Sequence, residues 1–361
     1  MSSRVSKHNG ADRRVCGRAR SCAVRFAREV SVVLTRFGSW ALSCWLANCS
    51  WGLAADDPVA PADIIVLHNL RYREGPNKAW TLDLAMQKGR GGNPRPGIVV
   101  IHGGGWVGGD KADCATRRFG PCNILDFAAL GFVAVGVNYR LAAEAPFPAA
   151  LEDCQCAVRW LRAHAKDYHL DPKAIGAVGP SAGAHLALLL GLAGKSAGRE
   201  GDGPHQEQSS LVQAAAGDSG FVDLHDAQQL AAYQKVIGSF LGGPPEGPRA
   251  ERYRQASPIH RIHADAPPLL LIYGVRDNAV PVETADRFVA ALHRAGRKDV
   301  TYFRLAHAGH CPYANREVPY LQTAVNDFFI RTLMDPETAK GIQRRAPAPV
   351  WPRATSRPTR P

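Results

Sequence analysis

The sequence predicts an α/β protein with a mostly parallel central sheet and helices on both faces. Three observations predict it. The runs GIVVIH (97–102), FVAVGVNY (132–139) and AIGAVG (174–179) are continuously apolar, as in strands buried on both faces. Segments with apolar residues at helical spacing lie between them. Strand and helix patterns keep alternating to the end of the globular part, with no internal repeat, which requires crossover connections and a covered sheet.

The elements follow in order. IIVLHNLRYR and AWTLDLAM, between 64 and 86, read as two strands separated by a Gly75-Pro76-Asn77 turn. GIVVIH is a buried strand that runs into glycines, and residues 124–130 read as a helix before FVAVGVNY. From Pro148 to about Asp167, Ala157, Trp160, Leu161 and Ala165 fall on one helical face. AIGAVG leads straight into an apolar helix after Ser181. The polar, Gly-rich stretch 194–210 is expected to be a surface loop. LVQAAAG (211–217), PPLLLIYG (267–274) and VTYFRLA (300–306) complete the strands, with helices expected at 283–295 and 318–333.

The chain has 361 residues and a formal charge of +12, and the position of that charge decides its meaning. Residues 1–54 hold nine basic residues against two acidic ones, and 341–361 hold five Arg and no acid, whereas 55–340 are balanced at 30 against 30. A neutral globular part argues against a phosphate-binding groove, so no nucleic-acid partner is expected. Composition also excludes a collagen, a coiled coil and a polytopic membrane protein. Phe37 to Ala55 is an uncharged stretch after a basic region, with small residues before Asp56, the pattern of a signal peptide cleaved after Ala54 or Ala55. An uncleaved anchor through 37–55 and a lipid anchor at Cys49 are the rival readings. We therefore expect a targeting leader over 1–54, a single domain over 55–340 and a Pro/Arg-rich disordered tail over 341–361, with export and no stable membrane insertion once the leader is removed. Of nine Cys, Cys16, Cys22, Cys44 and Cys49 fall in the leader. Cys154 and Cys156 lie about 200° apart around a helix and cannot pair with each other. Cys114 and Cys122 could bridge after export or remain buried thiols.

Two motifs carry chemistry. Gly179-Pro180-Ser181-Ala182-Gly183 stands between an apolar strand and an apolar helix, the context of a strained turn that presents a serine nucleophile. The helix that follows would aim its first amides at a developing oxyanion. His102-Gly103-Gly104-Gly105-Trp106 ends a buried strand, and its glycines leave backbone N–H groups free to approach a ligand. It lacks the Lys and Ser/Thr of a phosphate loop. The expected oxyanion hole is Gly103, Gly104 and Gly105 with Ala182: the amides of Gly104, Gly105 and Ala182 donate, and Gly103 permits the turn. Trp106 is expected in a pocket wall or in the core.

HGGGW at 102–106 followed by GPSAG at 179–183 resembles the α/β-hydrolase esterases, in particular the hormone-sensitive-lipase-like and the feruloyl and acetylxylan esterase-like branches. The resemblance continues through VNYRLAAEAPFPAALEDCQCAVRWLRAH, ASPIHRI, PPLLLIYGVRDNAVPV and AHAGH, covering about 97–333. It implies the order Ser, acid, His. Asp277, beyond the end of the PPLLLIYG strand, is then the acid, and His310 in the Gly-His pair after VTYFRLA is the base, with His307 as fallback. Ala184, where many relatives have a second Gly, and Pro180 before the nucleophile depart from the pattern without removing a catalytic group.

The resemblance implies a serine carboxylesterase for short-chain acyl esters, with small-molecule or glycan esters such as acetyl or feruloyl polysaccharides as substrates, and no cofactor or metal. An amidase or formamidase, a prolyl-oligopeptidase-like peptidase and a non-catalytic binding module are the alternatives. Gly217-Asp218-Ser219-Gly220 imitates a trypsin-type nucleophile but reads as a turn after LVQAAA. His260-x-x-His263 and His307-x-x-His310 have metal-ligand spacing without a completing shell. The absence of a long apolar lid argues against a lipase.

Overall fold

The computed structural model describes residues 63–89, 93–115, 120, 122–193, 201–227 and 233–345, with backbone only at 341–345. The leader over 1–54, the stretch 37–55 and residues 346–361 of the expected tail lie outside it. Within it, eight strands form one sheet: β1 (Ile64–Arg71), β2 (Thr81–Gln87), β3 (Arg95–Ile101), β4 (Val133–Val137), β5 (Leu170–Pro180), β6 (Ala214–Asp218), β7 (Leu269–Gly274) and β8 (Val300–Leu305). Their spatial order is β1-β2-β4-β3-β5-β6-β7-β8. The pairs β1–β2 and β2–β4 are antiparallel, and every pair from β4–β3 to β7–β8 is parallel. Every strand expected from the sequence is present.

The apolar runs divide between two cores because successive side chains point to opposite faces. Val99 and Ile101 of β3 enter one core, and Ile98 and Val100 enter the other. The first core is covered by α3 (Ala149–Ala163), α4 (Ala182–Gly191) and α8 (Val282–Arg294); the second by α2 (Ile124–Ala129) and α9 (Tyr320–Leu333). Helix α4, AGAHLALLLG, is buried along its whole length, so it carries apolar residues on every side instead of an amphipathic stripe.

Other helices were not evident from periodicity: α1 (Lys111–Ala115), α5 (Leu224–Ala227), α6 (Gln234–Leu241), α7 (Pro248–Ala256) and α10 (Pro336–Arg345). They are short or strongly polar. In α7, PRAERYRQA, only Tyr253 and Ala256 are buried, too few to produce a helical period. Helix α10 carries the chain to Arg345, so the tail boundary drawn at 341 falls inside a helix. The 194–210 loop is held down where it is described: Arg159 donates to the carbonyls of Asp202 and Pro204, and Arg162 to those of Ser209 and Leu211. Cys114, Cys122, Cys154, Cys156 and Cys311 are all free and buried, which decides between bridge and thiols for Cys114 and Cys122. Among the described residues no helix is long and apolar enough to cross a membrane.

A buried polar post joins the glycine-rich turn after β3 to the helices above it. The indole of Trp106 stacks on Phe240 of α6 at 4.4 Å and donates from Nε1 to His185 Nδ1 at 3.2 Å. His185 Nε2 in turn donates to the Ala256 carbonyl at the end of α7, at 2.7 Å. Both rings are fully buried, so Trp106 belongs to the core. This arrangement needs a neutral imidazole, and burial pushes the His185 pKa down from 6.5 to about 4. The unfolded chain therefore binds more protons between those values, and folding stability is lost as pH falls from about 6.5 towards about 4. The expected loss is about 3 kcal/mol, read by urea unfolding at stepped pH. His185→Gln should flatten that part of the curve, and an unchanged slope in the variant would assign the acid sensitivity elsewhere.

Candidate active site

The chemistry-bearing residues meet at the C-terminal edge of the parallel strands, where crossover loops converge. Ser181 is the single residue between β5 and α4, and its backbone is left-handed (φ 51°, ψ −117°), a strained conformation for a side chain other than glycine. Its N–H donates to the Asp218 carbonyl at 2.8 Å, and its carbonyl accepts from His185 N–H at 3.0 Å. The two elbow glycines are required by crowding. A Cβ at Gly179 would lie 2.5 Å from the Ile101 carbonyl oxygen, and one at Gly183 would run into the same oxygen. The departure at Ala184 is accommodated across the sheet edge: a Cβ at Gly220 would lie 2.9 Å from the Ala184 methyl. The GDSG sequence thus receives the helix after the elbow and supplies no nucleophile.

The turn after β3 lies beside the elbow. A Cβ on Gly103 would stand 3.1 Å from the Pro180 carbonyl and 3.6 Å from Ser181 Cβ. Gly104 has φ +107°, and a Cβ there would strike the Gly108 carbonyl. The Gly104 carbonyl accepts from both Val107 and Gly108 at 3.1 Å, which closes the turn. Among the hydrogen bonds of the described residues, none uses the amide of Gly104, Gly105 or Ala182 as donor. His102 braces the turn from below: it stacks on Tyr139 at 4.3 Å, donates from Nδ1 to Gly103 O at 2.8 Å, and accepts at its carbonyl from the Tyr139 hydroxyl at 3.0 Å. Burial lowers its pKa.

Asp277 and His310 come together across the loops after β7 and β8. His310 Nδ1 donates to Asp277 Oδ2 at 2.8 Å, while Asp277 Oδ1 accepts the amides of Ala279 and Val280 at 2.7 and 2.9 Å. Burial pushes the Asp277 pKa up, but the bond and charge of His310 and the two amides outweigh it and hold the carboxyl below its usual range. Asp277 has no exposed side-chain surface, whereas His310 is one-third exposed, so the ring faces the open edge. The His310 loop is pinned by Gly309 N–H to Glu317 and by Asn315 to the His310 carbonyl. His307, the fallback, is exposed and receives a hydrogen bond from Arg276 at 3.2 Å, away from Asp277. His260 and His263 join no cluster able to hold a metal among the described residues.

Four contributing residues were not assigned to the site from the sequence. His185 orients Trp106; its signal was only a histidine within an apolar helix. Asp218 and Ser219 support both the elbow and the His310 loop, but as part of a sequence that imitates another motif. Val236 of α6 covers the glycine turn: a Cβ on Gly105 would lie 3.0 Å from Val236 Cγ1 and 3.9 Å from Val107 Cγ2. No pattern marked Val236, because α6 itself was not foreseen.

The chain matches the BD-FAE family profile over residues 82–292. Esterase LipC of Mycobacterium tuberculosis is 32% identical over 246 residues, which are 68% of this chain and 60% of LipC. The chain spans about half to three-fifths of the length of LipC and of the mycobacterial esterases LipQ and LipM. A truncated carbohydrate esterase from gut microbiota superposes with a TM-score of 0.64 at 25% identity, covering 75% of this chain and 97% of that one. A thermophilic esterase of the Planctomycetes species Thermogutta terrifontis, solved with propionate bound, superposes with a TM-score of 0.58 at 26% identity, covering 77% and 98%. The profile takes in β2 to α8, including the elbow, the glycine turn and Asp277, and the protein belongs to the BD-FAE family.

Proposed function

We propose that this chain is a serine carboxylesterase acting on short-chain acyl esters through an acyl-enzyme on Ser181. The observation that carries the reading is the His310–Asp277 hydrogen bond of 2.8 Å, on the same sheet edge as the left-handed Ser181 and the glycine turn. Ser181 Oγ attacks the ester carbonyl carbon while the far nitrogen of His310, Nε2, takes its proton. Asp277, held as an anion, keeps the Nδ1–H tautomer and stabilises the imidazolium. The amides of Gly104, Gly105 and Ala182 receive the oxyanion. Collapse returns the proton from His310 to the departing alcohol, and water then attacks the acyl group with His310 again as base.

Relatives named as esterases support the reaction class, and the carbohydrate esterase among the structural neighbours supports acetyl or feruloyl esters of polysaccharides as substrates. The balanced charge of residues 55–340 suits a neutral ester. The basic stretch followed by residues 37–55 supports an exported enzyme.

Hydrolysis of p-nitrophenyl acetate by the full chain tests the reaction. Ser181→Ala should lower kcat on the order of 10⁴–10⁶-fold, and equal rates for the two proteins would sink the reading. Gly104→Ala, forced into a left-handed conformation against the Gly108 carbonyl, should cost roughly 10²-fold in kcat with a smaller change in KM. Val236→Ala removes bulk beside Gly105, so the rate on p-nitrophenyl hexanoate relative to acetate should rise about tenfold; an unchanged ratio would show that Val236 does not limit acyl length.

A further inference from the structure

Strand β6 lies between the strand that ends at Ser181 and the strand that leads to Asp277, and the register places Asp218 opposite both Pro180 and Ile272. From this central position Asp218 and Ser219 reach all three parts of the site. The Asp218 carbonyl accepts Ser181 N–H at 2.8 Å and faces Cys311 Sγ at 3.6 Å. Its carboxyl Oδ2 accepts Ala314 N–H at 2.9 Å. Ser219 Oγ accepts Cys311 N–H at 2.9 Å, and Ser219 N–H donates to the Ile272 carbonyl at 2.8 Å. Ser219 and Cys311 both have left-handed backbones (φ 56° and 55°), so this junction is held in place against local preference. Asp218 is 1% exposed, and its second oxygen, Oδ1, has no hydrogen-bond partner. A buried carboxyl with an idle oxygen is a poor choice for structure alone.

We propose that Asp218 is a positioning residue for the base: its carboxyl clamps the 311–314 turn behind His310 to the strand beside the nucleophile, and its charge is coupled to that of the His310 imidazolium. The inference rests on the reading of Ser181, Asp277 and His310 as the reacting set. Asp218 never touches substrate and acts through the loop. Burial pushes its pKa up to about 7, against the opposing pull of the Ala314 amide and the His310 charge, with Asp277 adding to the rise. The titratable groups facing it are His310, Cys311 and Tyr313 from the loop after β8, Asp277 and Tyr273 from β7 and its loop, and Cys122 ahead of α2. Burial raises Cys122, Cys311, Tyr273 and Tyr313 out of the neutral range, and Asp277 stays ionised. Asp218 is left as the carboxyl among them whose charge changes near neutrality.

A carboxylate at Asp218 stabilises the imidazolium that His310 carries in the reaction, and the neutral acid present below its pKa does not. The test is the pH profile of kcat/KM for p-nitrophenyl acetate, measured on the full chain with Ser181→Ala as the zero. Asp218→Asn keeps an oxygen for Ala314 N–H and loses the charge. Its acid limb should lose the ionisation near pH 7 that the Asp218 carboxyl contributes. Asp218→Ala also loses the acceptor, and kcat should fall about tenfold or more with KM within about twofold, a loss that Asp218→Asn restores. An Asp218→Asn profile superimposable on the parent overturns the charge coupling, and unchanged kcat in Asp218→Ala overturns the clamp. If Asp218→Ala does not fold, Asp218→Ser, whose shorter side chain also withdraws the acceptor from Ala314 N–H, takes its place in the test of the clamp. A parent protein no faster than Ser181→Ala refutes the esterase reading beneath the inference instead.

Discussion

The site depends on one close approach, that of the end of β3 to the elbow after β5. The Ile101 carbonyl occupies the space that a Cβ would need at both Gly179 and Gly183. Because the backbones meet there, the turn between strand and helix shrinks to Ser181 alone, which must take a left-handed conformation costing on the order of 1–3 kcal/mol. The surroundings hold it there. Strand β5 is flanked on both sides by parallel partners, helix α4 is buried over its whole length, and both main-chain groups of Ser181 are hydrogen-bonded. The same approach brings Gly103 against Pro180 and Ser181, so the amides proposed to receive the oxyanion are placed by the contact that strains the nucleophile.

That constraint explains why some of the site was legible and some was not. Ser181 and the turn 102–106 are local: their glycines are adjacent in sequence to the groups they serve, and each stands at the end of an apolar run. Asp277 and His310 carry no such mark. Each follows a late strand, and they are picked through the order implied by resemblance, with the Gly309-His310 pair favouring His310 over His307. Geometry separates them, since His310 bonds to Asp277 and His307 to Arg276. His185, Asp218 and Val236 act across 71, 96 and about 130 residues of chain, respectively, on Ala256, Ala314 and Gly105. Such pairings leave no trace in periodicity or spacing. Asp218 was further disguised by Ser219 and the glycines around it, which serve to admit the Ala184 methyl.

The strands were easier than the helices for a related reason. A strand buried on both faces is continuously apolar, and β3, β4, β5 and β7 are buried almost throughout. A helix laid over the edge of the sheet needs only two or three buried side chains. Helices α6 and α7 touch the core through Ile237, Phe240, Leu241, Tyr253 and Ala256, with Val236 packed partly against it. Yet these two segments complete the post under the glycine turn, through Phe240 on Trp106 and the Ala256 carbonyl on His185. The least legible elements are therefore the ones that hold the end of the glycine turn in the core.

Charge near the reacting groups is kept scarce. His102 and His185 are driven towards neutrality by burial, the five free cysteines are buried with raised pKa values, and Tyr273 and Tyr313 cannot ionise near neutral pH. Against that neutral background Asp277 holds a fixed negative charge because two amides and His310 stabilise it. In a low-dielectric setting this charge acts strongly on the imidazole it bonds to, with the buried Asp218 as the second carboxyl behind it. An oxyanion formed at Ser181 would meet oriented amide dipoles, with only the imidazolium to balance it. In the proposed reaction such an arrangement rewards the separation of charge that appears only as an uncharged ester becomes a tetrahedral intermediate.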